Sequence, residues 1–229
     1  MESFGGSGAV VLGLKPKKSR LDIYNDLNND FFNVFCCIKE RPLAFEYDPA
    51  LLDGPPQAVP IETIIKTKFN LTLEYHCLRK NGSILGETIF DDGAAILYDL
   101  AEKRYRLIAV KAGTILIDER LCMDRLLGRL RFTCAHELSH WVLHQKLYSG
   151  TGDVAAYEGK TSLDESNGLI ERQADALATA LLMPLPQIKK GFYRLRAGKA
   201  NEQLIAEMAQ IFQVSKQAMR IRLESHNLL

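Results

Sequence analysis

The sequence predicts an α+β fold, a small antiparallel or mixed sheet packed on helices. Strand-like stretches are gathered between residues 71 and 119, and helical spacing takes over from residue 124 to the end. Segregated strands and helices favour α+β over alternating βαβ units. The composition agrees with a folded chain: 229 residues with 47% hydrophobic and 25% charged content suffice for a sizeable core.

Residues 1–19 are Gly-rich and basic and read as a loose arm. They lack the basic start and long apolar run of a secretory signal, and Pro16 and its lysines interrupt them, so a cytoplasmic protein is expected. RLDIYNDLNNDFFNVFCCIKE, residues 20–40, predicts a first helix ending before Pro42. Residues 46–60 concentrate Pro and Gly as a connection, and PIETIIKTKF then predicts a short helix.

Strands are expected in LTLEYHCL (71–78), SILGETIF (83–90), AAILYD (94–99) and RLIAVKAGTILIDE (106–119), with Asn81 and Gly82 as turn residues. Their short connections point to an antiparallel sheet or meander. Residues 124–148 have helical spacing without Pro. Residues 149–168 read as a polar loop, and LIERQADALATALLM as an Ala-rich helix stopped by Pro184. The tail predicts a helix in NEQLIAEMAQIF, a tight QVS turn and a last helix from Lys216. The expected organisation is an accessory segment, 1–57, a main domain, 58–188, and a C-terminal helical segment, 189–229.

Several function classes are disfavoured at once. A formal net charge of +1 gives no global attraction to nucleic acid or an anionic membrane. No run approaches the roughly 20 apolar residues of a membrane span. Cys36, Cys37, Cys77, Cys122 and Cys134 are odd in number and lack CxxC spacing, so they read as buried thiols in a reducing compartment.

The chemistry lies in TCAHELSHWVLH, residues 133–144, which holds three of the five histidines. His136, Glu137 and His140 form HExxH, and on a helix two histidines one turn apart reach one zinc ion. Zinc bound by imidazole polarises a carbonyl and acidifies a water, for which Glu137 is placed as general base. His144 is excluded as a third ligand, because a rise of about 12 Å separates it from His136 along the helix. It reads as a satisfied second-row histidine. The metzincin pattern fails too, with Leu143 and Lys146 at its Gly and His positions.

Glu171, opening the next helix, is the best-placed third ligand, and Asp175 one turn on can accept the other ring N–H of a liganding histidine. The competing description of this ExxxD pair is a solvated helix face or helix-dipole partners. Glu158, Asp164 and Glu165 are weaker loop candidates. Tyr148, Tyr157 and Tyr193 are phenols available for oxyanion stabilisation if the fold brings one near.

Through RFTCAHELSHWVLH (131–144) and IERQADALATALLMP (170–184) the chain resembles the ImmA/IrrE family of bacterial zinc metallopeptidases. A looser likeness extends over residues 58–228. The resemblance implies a gluzincin-like core of the zincin type, with His136, His140 and Glu171 holding Zn²⁺, or Mn²⁺ in its place, and Glu137 as base. It also implies a protein substrate, a helix-turn-helix transcriptional repressor, and an antirepressor role. The chain departs from the family pattern at Ser139, where Gly is common, and at Leu177, where an aromatic residue is.

A rival class is a DNA-binding regulator. Residues 189–229 hold eight Lys or Arg against three Glu. Leu204, Ile205, Met208 and Phe212 make an apolar stripe, and Ser215 is placed to cap a helix bearing Lys216, Gln217 and Arg220. Against it, such stripes are usually core faces, and a helix pair without a third helix is an incomplete reader, so nucleic acid is not the expected partner. A third class keeps the metal structurally and sequesters a partner, but an intact Glu137 has no use there.

Overall fold

The computed structural model describes residues 54–148 and 165–229. The helix expected at 20–40, with Cys36 and Cys37, lies outside the described residues, as do Tyr157, Glu158 and Asp164. The described chain forms two compact units, one of Pro60–Ala178 and one of Thr179–Leu229 with residues 54–59.

The first unit opens with helix α1 (Ile61–Thr67), whose Ile61 and Ile65, one turn apart, are fully buried. Five strands follow: β1 (Thr72–His76), β2 (Gly86–Ile89), β3 (Gly93–Asp99), β4 (Arg104–Val110) and β5 (Thr114–Asp118). They make two sheets. One is mixed, in the order β1-β5-β2, with β1 parallel and β2 antiparallel to β5. The other is the antiparallel β3–β4 hairpin.

The expected meander is therefore corrected at one point. RLIAVKAGTILIDE is two strands in different sheets, divided at Gly113, which has φ +81°. The Gly113 N–H donates to the Ile89 carbonyl at 2.9 Å, and its own carbonyl accepts from Thr72 N–H at 2.9 Å. The chain thus leaves the hairpin and enters between β2 and β1. The physical reason lies in β5 itself: Ile115, Leu116 and Ile117 are consecutive, apolar and fully buried, so the strand needs cover on both faces and takes the centre. Each such side chain contributes about 1.5–3 kcal/mol on burial. Leu116 joins Leu78, Ile89, Ala95, Leu97 and Val110 in an apolar cluster fed by both sheets.

Two 3-10 turns, Glu119–Cys122 and Asp124–Leu126, precede α2 (Leu127–Tyr148), which thus starts three residues later than the spacing suggests. Helix α2 packs on α1, β2 and β5. Leu130, Cys134, Ala135, Leu138, Val142 and Leu143 are all buried, so the helix is covered on several sides. Helix α3 (Glu165–Leu182) begins four residues before the expected start, with Ala174, Leu177 and Ala178 fully buried.

In the second unit, α5 (Asn201–Phe212) and α6 (Lys216–Ser225) match the expected helices of the tail. Gln213, at φ +53°, closes α5, and the Ser215 hydroxyl caps α6 by accepting from Ala218 N–H at 3.1 Å. Helix α4 (Leu185–Leu195) is not announced by the sequence pattern. Pro186 sits in its first turn, where a missing N–H costs nothing. A Cβ added at Gly191 would meet Met208, Pro56 and Phe212 at 3.4, 3.5 and 3.6 Å, ordinary van der Waals contact. Among the described residues no helix is long and apolar enough to cross a membrane.

Candidate metal centre

Helix α2 presents His136, His140 and His144 on successive turns. The ring nitrogens Nε2 of His136 and His140 face each other at 2.9 Å. Glu171 enters from α3, with Oε2 3.2 Å from His136 Nε2 and Oε1 3.5 Å from His140 Nε2. One ligand atom from each of His136, His140 and Glu171 lies within 4.8 Å of the others, a grouping able to hold a metal ion. Two nitrogens bound to one tetrahedral zinc would stand about 3.3 Å apart, so the donors need only small shifts.

Asp175, one turn beyond Glu171, places Oδ1 2.9 Å from His136 Nδ1. Burial works against a charge on His136, but the Asp175 and Glu171 carboxylates outweigh it and push the imidazole up to about 10. Positive charge is thus favoured between these carboxylates, and a divalent cation in place of the proton satisfies the same field. His144 shows the opposite behaviour. Burial and the neighbouring His140 ring push it down to about 4, so it is neutral. Its Nδ1 lies 3.0 Å from His140 Nδ1 and its Nε2 3.1 Å from Gln173 Oε1.

Glu137 is 7% exposed and held by β2. The Thr88 hydroxyl, on β2, lies 2.7 Å from Glu137 Oε2 and 3.0 Å from the Glu137 carbonyl, and its one proton serves either. Gly86, also on β2, is needed for close approach: a Cβ there would meet Glu137 Oε1 at 2.5 Å. The cluster opens into a pocket of about 350 Å³, lined also by residues 83–86, Arg129, Phe132 and Thr133.

The structure therefore brings His136, Glu137, His140, Glu171 and Asp175 to one pocket. Of the candidate phenols among the described residues, Tyr148 stacks on Phe90 at 5.2 Å and is not among the pocket residues, and Tyr193 is exposed and edge-on to Phe192. Sequence reasoning did not single out Gly86, Thr88, Arg129 or Gln173. Nothing local marks Gly86 or Thr88, which come from a strand about fifty residues before Glu137. Ser139, the departure from Gly in the HExxH stretch, is buried and harmless, because its hydroxyl donates to the Ala135 carbonyl at 2.7 Å.

The family model described as the IrrE N-terminal-like domain, peptidase family M78, matches residues 99–224, more than half of the chain. The chain belongs to this peptidase family. Membership implies a metallopeptidase acting on protein, and the matched span includes both helices of the cluster. Gly86 and Thr88 precede it. No curated protein matches the chain.

Proposed function

We propose that this M78 member is a zinc-dependent endopeptidase in which His136, His140 and Glu171 hold the metal and Glu137 is the catalytic base, on a zincin-like pair of helices. The observation that carries the reading is the convergence of two imidazole Nε2 atoms and one carboxylate on a single point, beside a second carboxylate that coordinates none of them. Zinc held there supplies a polarised scissile carbonyl and a water of lowered pKa. Glu137, fixed by Thr88 and Gly86, takes the proton of the attacking water and returns it to the leaving amine. Asp175 accepts the Nδ1–H of His136 and keeps that ring turned towards the cluster. The family resemblance supports a helix-turn-helix repressor as substrate, a cytoplasmic setting and an antirepressor role. Manganese fits the same donors less well than zinc, since two imidazoles favour the softer ion.

The test is metal content of purified wild type, His140→Ala and Glu171→Ala by elemental analysis. About one zinc per chain in wild type, lost in both variants, is the expected result. Full retention in Glu171→Ala removes the assigned donor set.

The DNA-binding alternative has less support. The Arg220 guanidinium pairs with Glu202 on α5, and the buried Arg222 donates to the Met183 carbonyl at 2.9 Å. Of the cations in α6, Arg220 and Arg222 are thus both engaged within the protein.

A further inference from the structure

We propose that His144 and Gln173 are positioning residues that fix the tautomer of His140, so that its Nε2 presents a lone pair to the cation. The inference rests on the metal-site reading above and adds two residues to it. Each link of the chain runs in one direction. The Gln173 side-chain carbonyl can only accept, and it lies 3.1 Å from His144 Nε2, so that nitrogen carries the hydrogen. With that hydrogen on Nε2, the lone pair of the His144 ring sits on Nδ1, 3.0 Å from His140 Nδ1, where one nitrogen must donate and the other accept. His140 Nδ1 must therefore be the donor, which leaves its Nε2 unprotonated and aimed at His136 and Glu171.

Turning the Gln173 amide over reverses every link. Its NH₂ would donate to His144 Nε2, His144 Nδ1–H would donate to His140 Nδ1, and His140 Nε2 would carry a hydrogen where the cation belongs. Only one orientation is compatible with ligation. Burial makes the chain binding on the residues in it, since His140 and His144 are each 2% exposed and Gln173 is 6% exposed, with little water to offer an alternative partner. The two liganding histidines are thus oriented by different means: His136 by the solvent-facing carboxylate of Asp175, His140 by a buried relay through His144 and Gln173.

The experiment uses the full chain and two readouts. Long-range ¹H–¹⁵N correlation spectra of the metal-free and zinc-loaded protein report which imidazole nitrogen is protonated; His140 is expected as Nδ1–H and His144 as Nε2–H. Zinc affinity is measured by chelator competition for wild type, His140→Ala, His144→Phe, Gln173→Met and Gln173→Glu. Gln173→Met and His144→Phe are expected to bind zinc about 10–100-fold more weakly. Gln173→Glu, whose carboxylate accepts the same hydrogen, stays close to wild type, a rescue that a purely space-filling role would not give. If His144→Phe fails to fold, the two Gln173 variants and the spectra decide. An unchanged affinity in Gln173→Met, or a His140 Nε2–H signal, overturns the relay alone when His140→Ala has lost zinc. A wild type that takes up no zinc, or a His140→Ala that keeps it, overturns the metal site and the relay together.

Discussion

Two regions carry clustered charge on helices, and they handle it in opposite ways. Around α2 and α3, two histidines and a carboxylate converge on one point, with Glu137 buried beside it. Around α5 and α6, charges are disposed of in pairs: Arg220 with Glu202, Lys199 with Glu207, Arg222 with a main-chain carbonyl. The first arrangement turns several donor atoms towards one point, a geometry able to hold a cation in place of a proton on His136, whereas pairwise matching leaves little for a ligand to gain. A count of charged residues therefore says less about binding than the direction in which they point.

The strongest way to break this contrast is Glu137→Gln. Peptidase activity on a protein substrate should fall by about 10²–10⁴-fold while zinc content holds, because the amide keeps the shape and loses the base. Cleavage at the wild-type rate by this variant would end its proposed role. A sharper probe is Gly86→Ala, which puts a methyl group into the space of the Glu137 carboxylate. The expected loss is about 10²-fold in kcat with metal binding kept, as for a base displaced by roughly 1 Å. An unchanged kcat would mean that Glu137 has slack that the contact distance denies.

Thr88→Val should cost about 1–3 kcal/mol of stability, measured by denaturant unfolding, since a buried carboxylate loses its hydroxyl donor. A neutral result would show that water reaches Glu137 from the pocket. The smallest effect belongs to the tail. Neutralising Lys216 and Arg220 together should leave both duplex binding at low salt and the melting temperature within error, because Arg220 is an exposed ion pair. Salt-dependent duplex binding in wild type that is lost in this variant would collapse the comparison.

Much of the fold was legible because periodicity is local. The helices of the tail follow from their apolar stripes, the QVS turn and the Ser215 cap, and α1 and α2 were placed to within a few residues. Helix α4 escaped because Pro186 and Gly191 weaken its pattern while packing supports it. The strands were visible, but their pairing was not: short connections suggested a meander, and the burial demand of Ile115, Leu116 and Ile117 put β5 beside β1 in parallel instead.

By itself the sequence determined that His136, His140 and His144 lie along α2 at one-turn spacings, with Glu137 next to the first, since 3.6 residues per turn requires nothing beyond the helix. It also confined Glu171 and Asp175 to a shared helix face. Only the tertiary structure decided that these two faces meet, that Gly86 and Thr88 of β2 close on Glu137, and that Gln173 stands behind His144. The reason is physical: spacing along a helix is set by backbone geometry, whereas contact between elements dozens of residues apart is set by which apolar faces must be buried together.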